Sequence, residues 1–93
     1  MIALIIGLGI SGRGAAKLLL QNGYRVIAVD KNPQEMDGVR VLPETAMIEQ
    51  VNRTILSPGI SRNHPQARGR EVIGEAELAM RFLKNRAIGI TGT

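Results

Sequence analysis

The chain has 93 residues, 44% hydrophobic and 22% charged, with a formal net charge of +4 and a pI near 10.4, a globular composition that excludes a disordered or membrane-embedded protein. It has no cysteine, which excludes disulfides and thiolate metal sites and fits a reducing compartment. With one Tyr, one Phe and no Trp it lacks the aromatic platforms of single-strand binders, so the basic balance reads as solvated charge, densest at Arg62, Arg68 and Arg70 around His64.

The run from Met1 to Ile6 is apolar but too short to span a bilayer and has no basic stretch ahead of it, so it reads as a strand. It leads into Gly7-Leu8-Gly9-Ile10-Ser11-Gly12, three glycines at the G-x-G-x-x-G spacing. The first suits a tight turn, the second a close approach of backbone to a diphosphate, the third close packing of a helix on the strand. The N–H groups of Ile10 and Ser11 would open that helix, where unpaired donors and the positive dipole end suit an anion. The helix is expected from Ile10 or Ser11 to Gln21, with Ala15, Leu18 and Leu19 buried and Arg13, Lys17 and Gln21 in water. Asn22-Gly23 stops it.

A second strand is expected over 25–29, ending at Asp30. That aspartate stands about 20 residues beyond the glycine loop, where a carboxylate can accept from a ribose hydroxyl or a base N–H, or merely close a turn. Lys31-Asn32-Pro33 and Asp37-Gly38 are turn-formers, and Val39-Arg40-Val41 alternates as a short strand. Pro43 and Glu44 suit the start of a helix over 44–51, with Met47 and Val51 facing in. Thr54-Ile55-Leu56 is a fourth strand, stopped at Ser57-Pro58-Gly59-Ile60 because proline cannot donate to a ladder. Residues 64–69 read as a loop with a helical turn, Val72-Ile73 as a fifth strand, and 75–84 as a helix with Leu78, Ala79, Phe82 and Leu83 on one face. A further strand is expected over 86–91.

Strands and helices alternating at this rhythm predict an α/β, Rossmann-like three-layer domain with a mostly parallel five-stranded sheet. Ligands of such sheets bind beyond the carboxyl ends of the strands. The glycine loop, Asp30, Ser57 to Gly59 and Gly74-Glu75 all fall at those ends and should converge there. No nucleophile with a neighbouring base is legible, so no catalytic residue is expected. His64 lacks a histidine or cysteine partner and reads as structural, and no metal site is expected.

The motif order resembles the amino-terminal domain of the Mur ligase family, in particular its UDP-N-acetylmuramoyl-L-alanine:D-glutamate ligases. The matching pieces are the glycine loop, Asp30, Leu56-Ser57-Pro58-Gly59-Ile60, His64-Pro65, Gly74-Glu75-Ala76-Glu77-Leu78 and Ile90-Thr91-Gly92-Thr93. Many Rossmann-like proteins share the first two; the others, in this order, are far more specific. The resemblance implies that residues 1–86 hold the UDP moiety of UDP-MurNAc-L-alanine. Gly9, Ile10, Ser11 and Gly12 would meet the diphosphate, Asp30, Lys31 and Asn32 the uridine, and Ser57 and Gly59 would line the same cleft. Lys31 and Asn32 depart from the small hydroxyl residue and arginine common in the family.

The same resemblance makes 87–93 the start of a central ATP-binding domain, with Thr91, Gly92 and Thr93 opening its phosphate loop. In the complete enzymes ATP phosphorylates the substrate carboxylate and the amine of D-glutamate attacks the acyl phosphate to form an amide, a step of peptidoglycan synthesis and so of cell shape and division. ATP, Mg²⁺ and D-glutamate would act only through further domains. This stretch is therefore expected to have no cofactor of its own, to be inactive alone, cytoplasmic and monomeric, and to engage neither nucleic acid nor membrane. The competing reading is the NAD(P)-binding half-domain of an oxidoreductase, since the glycine loop and Asp30 suit an adenosine ribose equally. A dinucleotide, however, needs two mononucleotide halves across the crevice.

Overall fold

The structure, a computed structural model, describes residues 1–91, with side-chain surroundings through Leu83. In chain order it forms β1 (Ile2–Ile6), α1 (Ile10–Gln21), β2 (Arg25–Asp30), β3 (Val39–Pro43), β4 (Arg53–Leu56), β5 (Val72–Gly74) and α2 (Glu75–Thr91). The five strands make one sheet in the order β3-β2-β1-β4-β5, and every pairing is parallel. β1 lies at the centre, with Ile6 opposite Val29 on one side and Leu56 on the other.

Strand alternation divides the sheet's side chains between two cores. Ala3, Ile5, Val26, Ala28, Ile55 and Ile73 face Ala15, Ala16 and Leu19 of α1 and Leu78 of α2. Leu4, Ile6 and Val29 point the other way, together with Ile27, Leu42, Leu56 and Val72, and are covered by Ala67, Ile48, Val51 and Ile60 from the irregular connections. Burial on both faces is why the central strands read as unbroken apolar runs.

The covering follows from the direction of travel. The connections β1 to β2 and β2 to β3 step outward one way and lie on the α1 face, where Met36 joins the core. From β3 to β4 and from β4 to β5 the chain steps the opposite way, and Ile48, Val51, Ile60 and Ala67 lie on the other face. A single crossover hand requires that change of face when the direction reverses.

Three expectations are corrected. Residues 44–51 form no helix; a single turn, Ala46 N–H to Pro43 O at 3.0 Å, is followed by irregular chain, and Met47 is 98% exposed. Side chains from the next connection take the carbonyls a helix would have used: Gln66 Nε2 donates to Glu44 O at 2.9 Å and Ala46 O at 2.6 Å, and Arg70 Nη2 to Ile48 O at 3.0 Å. So short a helix carries a nucleation cost that these tertiary bonds avoid. Residues 86–91 continue α2 and do not begin a strand. A strand needs a ladder partner, whereas a helix pairs its own backbone groups. Finally, α2 buries a narrower stripe than expected: Leu78 and Phe82 face the core, Phe82 edge-on to Tyr24 at 6.4 Å, while Ala79 is exposed and Leu83 is 67% exposed. No helix among the described residues is long and apolar enough to cross a membrane.

Candidate functional site

At the carboxyl end of β1 the chain turns through Gly7, whose φ of +91° disfavours any side chain. Its N–H donates to Val29 O at 2.9 Å, which ties the turn to β2. Leu8 drops its side chain into the α1 core and donates its N–H to Asp30 Oδ2 at 2.6 Å. Gly9 is the N-cap of α1, extended at φ −82° and ψ −163°, and no side chain caps the helix. Its carbonyl receives the N–H of Arg13 at 2.9 Å. The N–H groups of Ile10 and Ser11 precede the first bond of that ladder and have no intrahelical acceptor.

The second and third glycines differ in what surrounds them. A Cβ on Gly12 would lie 2.2 Å from Gly7 O and 3.1 Å from Ser57 Oγ, so this glycine lets α1 pack on the loop. A Cβ on Gly9 would meet nothing within 4 Å. The surface above Gly9 is open.

Asp30 sits half-buried at the end of β2 with both carboxylate oxygens engaged, Oδ2 by Leu8 N–H and Oδ1 by Asn32 N–H at 2.8 Å. It fastens the glycine loop to the next strand. Each oxygen keeps a second lone-pair direction. Ser57 does the corresponding work from β4: its N–H continues the ladder to Ile6 O at 3.1 Å, its hydroxyl donates to Gly7 O, and its carbonyl accepts Ile60 N–H at 3.2 Å. That last bond closes a turn through Gly59, whose φ is +87°.

The residues singled out in the sequence thus fall into two layers. Gly12, Asp30 and Ser57 are fasteners beneath the surface, and Gly9, Ile10, Ser11, Lys31, Asn32 and Gly59 are exposed above them, Ile10 to 94%. Gly74 pairs with Leu56, and Glu75 Oε1 would lie 3.7 Å from a Cβ on Gly14, so the start of α2 adjoins α1. Arg13 is turned aside, donating from Nη2 to Gln34 Oε1 at 3.2 Å. Thr91 ends α2, and Gly92 and Thr93 lie outside the described residues. Among the described residues no three His, Asp or Glu side chains gather as a metal site.

Chemically, free amides at the positive end of a helix dipole, an open glycine surface and the Lys31 ammonium favour an anion. Sequence reasoning missed a cluster that ties the connections at residues 44–46 and 64–66 together. His64 Nδ1 accepts Gln66 N–H at 3.1 Å, so Nε2 carries the proton and donates to Glu44 Oε2 at 3.1 Å. The His-Pro pair marked the place; nothing in the local pattern marked its partners.

No protein-family model and no solved structure matches the chain. Curated relatives do. It is 42% identical over 97 residues to the UDP-N-acetylmuramoylalanine–D-glutamate ligase of Aquifex aeolicus, an alignment covering 97% of this chain and 21% of that protein. It is 39% identical over 102 residues to the ligase of that name from Fusobacterium nucleatum, covering 98% and 22%. With that of Protochlamydia amoebophila it shares 36% over 109 residues, covering 98% and 24%. The chain spans about a fifth to a quarter of the length of these relatives.

Proposed function

Because the chain belongs to the UDP-N-acetylmuramoylalanine–D-glutamate ligase family, we propose that it is the amino-terminal part of such an enzyme and holds the uridine diphosphate of its substrate. The observation that carries this reading is the uncapped start of α1, with an open surface at Gly9 and the Ile10 and Ser11 amides unpaired by the helix. The diphosphate lies across Gly9, Ile10 and Ser11, with Gly12 keeping the helix close behind. Asp30 offers its remaining lone pairs to the uridine, with Lys31 and Asn32 beside it. Ser57 holds Gly7 in position, and Gly59 keeps the facing wall low.

Within the whole enzyme this domain binds and orients the nucleotide end of the substrate while amide formation proceeds elsewhere. ATP supplies the activating phosphoryl group there, and Thr91-Gly92-Thr93 resembles the opening of an ATP phosphate loop. Residues 1–86 form the binding domain and 87–93 lead to the next. The reading carries with it a cytoplasmic, monomeric role in peptidoglycan synthesis, and a chain that forms no amide alone.

An amide chemical-shift titration with UDP, UDP-MurNAc-L-alanine, NAD and ATP in parallel tests it. Uridine ligands should shift Ile10, Ser11, Asn32 and Gly59 with a dissociation constant of roughly 0.1 to several mM, since residues 1–86 by themselves make only part of the substrate's contacts. Preference for NAD would replace this reading with the oxidoreductase one.

A further inference from the structure

A cavity of about 680 Å³ opens at the opposite end of the sheet from the glycine loop, between the amino ends of β1 and β2 and the strap of residues 47–51. Its volume is that of a small-molecule pocket. Ile2, Leu42 and Val51 contribute apolar walls, and the exposed Met47 lines it as well. Met47 suits an aromatic guest, since thioethers pack favourably on aromatic rings. The strap is held in place, because Gln66 and Arg70 bind the carbonyls of Ala46 and Ile48.

Two arginines give the cavity its polarity. Arg40 pairs with Ile27 in the β2–β3 register, and Arg25 lies two residues before Ile27, so strand alternation puts both on the face of Ile27 and Leu42. Both line the cavity, and among the described residues neither has a carboxylate within 4.0 Å. Glu49 is the one acid in the wall, and its backbone carbonyl faces Arg70. Two guanidinium groups on one wall without a carboxylate partner leave charge-assisted donors free for an anion in the cavity.

We propose that this cavity binds a small aromatic anion, its phosphate, sulfonate or carboxylate at Arg25 and Arg40 and its ring against Met47 and Leu42. The site stands whether or not the glycine loop holds a uridine nucleotide.

Titration of the chain with phenyl phosphate, followed by amide shifts, tests it, with inorganic phosphate and benzyl alcohol as the two halves of the probe. Phenyl phosphate should shift Val26, Arg40, Leu42 and Gln50 with a dissociation constant of about 0.1 to 1 mM, and each half alone should bind at least about tenfold more weakly. The double variant Arg25→Gln, Arg40→Gln, in which both replaced side chains are exposed, should keep the spectrum of the folded chain and lose at least about tenfold in affinity. Added salt should weaken binding to the unaltered chain. Equal affinity for benzyl alcohol, undiminished affinity in the double variant, shifts confined to Ile10 and Ser11, or no shift up to about 10 mM would each overturn the proposal.

Discussion

Glycines that look alike in a motif do different physical work, and the distinction is measurable at Gly9 and Gly12. Gly12→Ala must push its Cβ out of a 2.2 Å approach to Gly7 O, a backbone atom held in the turn. We expect a loss of about 2–4 kcal/mol in urea denaturation, in the range of an overpacked core. Gly9→Ala meets open space at a φ any residue adopts, and should change stability by less than about 1 kcal/mol while abolishing the shifts caused by UDP. A loss of several kcal/mol in both variants would mean that the surface over Gly9 is packed, not open. Substituting Asp30 is a less clean probe, because its carboxylate holds the Leu8 and Asn32 amides as well as any ligand.

Among the elements, the connection over 44–51 shows tertiary bonds displacing a local preference. Pro43, Glu44 and Ala46 favour a helix start, yet Gln66 and Arg70 draw the carbonyls sideways and the chain stays irregular across the second sheet face. Gln66→Ala removes two such bonds in a half-buried setting and should cost about 1–2 kcal/mol. Arg81→Ala removes an exposed i,i+4 pair with Glu77, 3.1 Å long, and should cost less than about 0.5 kcal/mol. Thermal or urea unfolding of the two variants side by side gives the comparison. Equal losses would show that the strap is not held by Gln66.

For the molecule as a whole, stability rests on β1, which is buried from both faces and paired on both edges. A chain of this size is stable by about 5–10 kcal/mol, and Ile5→Ala, at a position with no exposed surface, should remove about 2–5 kcal/mol of it. The urea midpoint should fall with the slope unchanged. The same central strand delivers the glycine loop, and its neighbours deliver Asp30 and Ser57, so the proposed binding surface and stability share one scaffold. The arrangement explains why the loop is fastened from both sides: without Asp30 and Ser57 a turn of glycines would lose more entropy on ordering than its few contacts return.

The five strands of the sheet, α1, the parallel pairing and the convergence on the carboxyl ends were legible in the residues, because each rests on a local pattern. Two-sided burial writes an unbroken apolar run, a helix writes a stripe, and a tight strand-to-helix turn writes spaced glycines. The irregular strap at 44–51, the inward roles of Asp30 and Ser57, the bracing by His64, Glu44 and Gln66, and the cavity between Arg25, Arg40 and Met47 were not. Each depends on atoms 20 or more residues apart, or on different strands, meeting in space. No periodicity carries that information. It is decided by which backbone groups the folded chain brings within hydrogen-bonding distance, and by which faces crossovers running in opposite directions are obliged to cover.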